Sequence, residues 1–172
     1  MRTLLLLLCA SAVAAPGFAG EASDDATWPT PFTAEQIRDA WTEGFWLETR
    51  TTTPAGPTVS RTEVTAWSAE RGELRATQSG GEPVAMTVAW SDLRDHAVFA
   101  RANTTRSRDT RDTPLGRFEG WVFRIDGGEG KWTELFFADA LPGPPVVYSQ
   151  WDGETRVMIA EQIGRRGFDS AP

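Results

Sequence analysis

The chain has 172 residues, a length suited to one domain, with 17 basic against 24 acidic residues and a single histidine. A net charge of −7 argues against general binding to nucleic acid or to an anionic membrane surface. One cysteine and one histidine exclude a disulfide framework and the usual zinc ligand sets.

Residues 1–19 read as a secretion signal. Met1-Arg2 gives the positive start, Leu4 to Leu8 and the small residues to Ala15 the apolar stretch, and Gly17-Phe18-Ala19 a cleavage site. The run is too short for a membrane span of ~20 residues. The expectation is an exported protein, periplasmic or secreted, with no transmembrane segment in the mature chain. Cys9 follows Leu8 rather than a small residue, which argues against a lipid anchor.

Residues 20–31 read as a flexible acidic arm, 32–164 as a single curved-sheet domain and 165–172 as a disordered tail. Thr33-Ala34-Glu35-Gln36 has the form of a capping box, with Phe32 and Ile37 as its hydrophobic staple. This predicts a helix over 34–43, stopped by Gly44. From Phe45 the period becomes two. Strands are expected from Phe45 to Thr51, Thr58 to Trp67, Leu74 to Ser79 and Val84 to Trp90, with turn residues between them. Ser91 can cap a short helix, Asp92 to Ala97. Arg101 to Asp112 has four arginines, no long apolar side chain and no periodicity, and reads as a mobile loop. Further strands follow at Arg117–Ile125, Trp132–Phe137, Val146–Trp151 and Glu154–Ile163. Between the second and third of these lies a stiff corner, Leu141-Pro142-Gly143-Pro144-Pro145-Val146. Its prolines cannot donate ladder hydrogen bonds, so strand pairing must break there.

Short connections favour antiparallel neighbours, and the first helix is the long cover available for one face. The predicted fold is mainly β (α+β): a strongly curved antiparallel sheet, or half barrel, over one helix, with a second short helix. A closed lipocalin-like barrel is the alternative.

No catalytic set emerges. Ser91 and His96 are five apart and point to different sides of a helix, so a triad with Asp92 or Asp95 is not expected. His96 fits better as a residue satisfying a backbone group beside Phe99. Asp126 to Gly130 lacks the acidic ladder of a calcium loop and reads as a hairpin turn. No cofactor or metal is implied, and the chain is expected not to be an enzyme. Two features could bind. Trp121, Trp132 and Trp151 fall on three consecutive strands and could line the concave face with Phe136, Phe137, Leu141 and Val146 to hold a lipid or other hydrophobic small molecule. Arg106, Arg108 and Arg111 could hold an anion or an acidic envelope protein.

At Trp90-Ser91-Asp92-Leu93, His96-Ala97, Phe99, Thr113-Pro114-Leu115-Gly116, Phe136-Phe137-Ala138 and the Leu141–Val146 corner, the chain resembles a group of small secreted bacterial proteins of unassigned function. More loosely, one helix under a curved sheet is similar to lipoprotein carriers of the LolA and LolB type. That likeness implies a half barrel that could hold acyl chains, and it carries over no site residue. The expected function is an exported, non-enzymatic protein binding an apolar or amphipathic ligand in the concave face. The alternative is an envelope structural or interaction module that uses its acidic surface and the Arg101–Arg111 loop.

Overall fold

A computed structural model describes residues 26–166. The predicted signal lies outside the described residues, as do the first half of the acidic arm and the end of the tail. The elements in chain order are β1 (Thr27–Trp28), α1 (Ala34–Ala40), β2 (Trp46–Thr53), β3 (Gly56–Trp67), β4 (Arg71–Gln78), β5 (Val84–Ala89) and α2 (Trp90–Asp95). There follow β6 (Phe99–Ala100), β7 (Thr104–Thr113), β8 (Gly116–Gly128), β9 (Lys131–Ala138), β10 (Val147–Asp152) and β11 (Thr155–Arg165).

Nine strands form one antiparallel sheet in the order β5-β4-β3-β2-β11-β10-β9-β8-β7. The chain starts near the middle and hairpins outward through β5. It crosses by α2 and β6 to the far edge, then hairpins back until β11 pairs with β2. Because β5 and β7 are not paired to each other, the sheet is open, and the closed-barrel alternative does not hold. Register shifts at Val64/Ala66, Asp126/Gly128, Gln150/Trp151 and Gln162/Gly164 add local twist, which helps the sheet curve.

The capping box forms as its residues require. The Thr33 hydroxyl accepts the Gln36 N–H at 3.2 Å, and the Gln36 side chain accepts the Thr33 N–H at 2.8 Å. α1 ends at Ala40, short of the predicted 43, because Trp41 leaves the helix to bury its indole. The indole stacks on Phe45 at 4.8 Å and donates to the Pro142 carbonyl at 3.0 Å. Ile37, Trp41 and Phe32 of the helical segment pack with Phe45, Leu47, Val64, Leu74, Trp90, Phe123, Leu135 and Phe137 into one core on the inner face of the sheet. A second cluster, with Val122, Phe136, Ala138, Leu141 and Val146, covers part of the outer face. Antiparallel partners share a face, so neighbours of opposite parity on β8 and β9 divide between these two clusters.

Several expectations are corrected. Residues 104–113, read as a loop, are strand β7, paired to β8 along its whole length. An edge strand wetted on both faces has no apolar alternation to betray it, and its charges discourage edge-to-edge association. The second half of the sheet therefore has five strands rather than four. α2 starts at Trp90 rather than Asp92, and Ser91 lies inside its first turn. Ala89 holds the cap position without a side-chain bond. Trp28, placed in the flexible arm, pairs with Phe99. Arg165, placed in the disordered tail, ends β11 and is buried.

Candidate functional site

The register of β7 on β8 decides what its arginines can do. Arg106 faces Phe123 and Arg108 faces Trp121, both on the inner side, whereas Arg111 faces Phe118 on the outer side. The three side chains predicted to act together thus divide between faces. Arg111 is tied by its Nε to Asp109 at 2.9 Å and by a terminal nitrogen to Glu134 at 2.7 Å. Arg108 makes two bonds to the Asp139 carboxylate, at 2.8 and 2.5 Å. Both are occupied within the fold.

Arg106 is different. Its guanidinium carbon lies 3.5 Å from the Trp121 ring centre, 5.5 Å from that of Phe123 and 6.0 Å from that of Trp28. It meets no carboxylate among the described residues, and its Nε is buried with no hydrogen-bond partner. Burial, and then the nearby charges of Arg108 and Arg101, hold its pKa below the ordinary arginine value. Arg101 stacks on Trp28 at 4.5 Å and donates to the Thr27 carbonyl. Trp28 is itself fixed by a bond from its indole nitrogen to the Thr104 carbonyl at 2.9 Å. The result is an alternating rim, Arg101–Trp28–Arg106–Trp121–Arg108. Cation–π contact orients the guanidinium groups but does not neutralise them. Such a rim can receive an anionic group.

The residues predicted to line a concave ligand site do not share one surface. Trp121 belongs to the inner face. Trp132 and Trp151 are direct partners on the outer face, stacked at 4.6 Å with planes 5° apart. Arg124 lies 3.6 Å from the Trp132 ring centre, and Arg156 lies 5.8 Å from that of Trp151, so cations flank the stacked pair and leave its faces little room for a ligand. Phe137 is in the inner core, while Phe136, Leu141 and Val146 are in the outer cluster, all of them buried.

The corner between β9 and β10 joins the two clusters. The Pro142 carbonyl accepts from Trp41 and, at 2.8 Å, from Arg165. Gln162 donates to the Pro144 and Pro145 carbonyls, each at 3.2 Å. His96 is exposed, and its Nδ1 lies 2.6 Å from the Asp92 carbonyl, a helix-end contact. Among the described residues no group of three or more His, Cys, Asp or Glu side chains could hold a metal ion. No helix among them is long and apolar enough to cross a membrane.

The fold resembles that of MucB. The two superpose with a TM-score of 0.52 at 9% sequence identity, over 80% of this chain and 58% of the MucB chain. An exported protein with a YmcC-like fold from Bacteroides fragilis matches with a TM-score of 0.44 at 12% identity, over 72% of this chain and 96% of that one. No family model and no curated protein matches the chain. At this identity the likeness to MucB is one of fold, and it agrees with the half barrel expected from the carrier-type resemblance.

Sequence reasoning missed Trp28 as part of the rim, while Arg101 entered only as the start of the Arg101–Arg111 loop. The available signal was Thr27-Trp28 itself, a β-branched and aromatic pair inside an otherwise acidic, Pro-containing stretch.

Proposed function

We propose that this is an exported, non-enzymatic interaction module of the cell envelope, which meets an acidic segment of a partner protein at the rim formed by Trp28, Arg101, Arg106, Trp121 and Arg108. The observation that carries this reading is Arg106. It is a half-buried cation with an orphaned Nε, set between aromatic rings, while its neighbours Arg108 and Arg111 are already paired. A carboxylate at the outer nitrogens of this guanidinium would give it the counter-charge that the fold withholds and relieve the repulsion from Arg101 and Arg108. Export rests on the sequence of residues 1–19.

The carrier reading is weaker. Phe32, Ile37, Trp41, Phe45, Trp90, Phe123 and Phe137 fill the inner face, so an acyl chain would first have to displace α1.

The test is capture of partners from an envelope fraction by the mature chain, at low and at raised salt, with wild type, Arg106→Gln and Arg50→Gln compared. Arg50 is a remote arginine paired with Glu161. Salt-sensitive capture should be lost in Arg106→Gln and kept in Arg50→Gln, with similar melting temperatures for all three. Retention of the same partners by Arg106→Gln would overturn the reading.

A further inference from the structure

At the β7 edge of this end of the sheet, a second group of cations, which shares Arg101 with the rim, converges. A cavity of about 430 Å³ lies between the turn from β6 to β7 and the hairpin of β8 and β9. Arg101, Asn103 and Thr105 line one wall, and Arg124, Lys131 and Asp126 line the other. Arg101, Arg124 and Lys131 make no ion pair among the described residues, whereas Arg50, Arg61, Arg75, Arg108 and Arg111 each do. In a chain with a net charge of −7, three unpaired cations around one cavity form a local reversal of sign.

Two of the cations are held in place. Arg124 lies on the Trp132 ring, which is backed by Trp151 and fixed by a bond from its indole nitrogen to the Gly153 carbonyl at 3.1 Å. Arg101 lies on Trp28 with its Nε bonded to the Thr27 carbonyl. Lys131, exposed at the end of the hairpin, is the adjustable one. The single carboxylate of the lining, Asp126, is turned into its own hairpin, where one oxygen accepts the Gly128 N–H at 2.8 Å. Three cations against this one carboxylate leave an excess of about two positive charges, matched to the −1.5 to −2 of a phosphomonoester. Two guanidinium groups approaching from different walls also suit a tetrahedral group with several acceptor oxygens better than a planar carboxylate, which one arginine can satisfy.

We infer that this cavity is a binding site for a phosphomonoester group, presented free or on a lipid headgroup. The site shares Arg101 with the rim, but Arg106 does not line it.

The experiment has two arms. In the first, phenyl phosphate is titrated while the indole N–H resonance of Trp132 is followed by NMR. In the second, the protein is sedimented with phosphatidylcholine vesicles, with and without phosphatidic acid. Arg124→Gln with Lys131→Gln should weaken phosphate binding at least about tenfold. Lys131→Gln alone, at an exposed position that leaves the Trp132 stack intact, should weaken it measurably. Arg106→Gln should not change it. Co-sedimentation that requires phosphatidic acid, and that the double variant loses, assigns the headgroup source. Saturation by phenyl phosphate without such co-sedimentation assigns a free phosphomonoester. A response that does not saturate in either arm, or one unchanged in Lys131→Gln and in the double variant, overturns the inference.

Discussion

Arg165 ends β11 at 3% exposure, with no carboxylate in ion-pair range among the described residues. Burial pushes its pKa down to about 10. Its partners are neutral: the Pro142 carbonyl at 2.8 Å, the Gln162 side-chain oxygen at 3.4 Å and the face of Phe45. A buried cation without a counter-ion opposes folding, while its long stem contributes packing. The Pro142 carbonyl also keeps the Trp41 N–H, so removing the guanidinium does not orphan it. Arg165→Met should therefore stay within about 1 kcal/mol of wild type, and Arg165→Ala should lose about 2–4 kcal/mol through the cavity it leaves. The sign of the pH effect follows from the depressed pKa. The unfolded state holds its proton to higher pH than the folded state, so the burial cost is full at neutral pH and eases as pH rises through about 10. Urea unfolding should show wild type gaining on Arg165→Met over that interval. A constant difference, or a Met variant as unstable as the Ala variant, would reject the account.

Gly143 sets the geometry of the corner between β9 and β10. Its φ is +132°, and a Cβ built there would lie 2.7 Å from the Trp41 indole nitrogen. Gly143→Ala should cost about 2–3 kcal/mol, from backbone strain together with loss of the Trp41 contact. The change should appear as a lower urea midpoint with weakened near-ultraviolet dichroism. A midpoint equal to that of wild type would mean the corner yields freely. The corner was legible as a break in pairing because proline chemistry is local. What it bonds to was not, since Trp41, Gln162 and Arg165 reach it from distant points of the chain. The same division holds elsewhere. Thr33 and Gln36 announced α1 through contacts three residues apart. Strand period placed β8, β9 and β10 but could not say which parity faced the helices, because apolar clusters cover both faces there. That ambiguity put Trp121, Trp132 and Trp151 on one imagined surface. β7 escaped notice because its charged, threonine-rich sequence is what an exposed edge selects.

Across the whole molecule, the crossing from β5 to β7 places α2 over the same inner face that α1 covers, and the two helices touch each other as well as the sheet. A half barrel closed in this way has an interior already satisfied by its own side chains. Freeing it for an acyl chain would expose Phe32, Ile37 and Trp41, each buried and worth about 1.5–3 kcal/mol of transfer free energy. Such an opening lowers apparent affinity by the fraction of molecules that are open, on the order of thousands-fold for about 5 kcal/mol. A diacyl lipopeptide below its aggregation concentration should therefore produce no saturable rise in melting temperature, and the amides of α1 should keep their hydrogen-exchange protection in its presence. An anionic ligand at the β7 end should behave differently, because neither the Arg106 rim nor the Arg124–Lys131 cavity contains an α1 residue, so neither requires α1 to move. If the lipopeptide instead stabilises the fold while α1 loses protection, the helix is a lid rather than a plug, and the carrier reading displaces the interaction module.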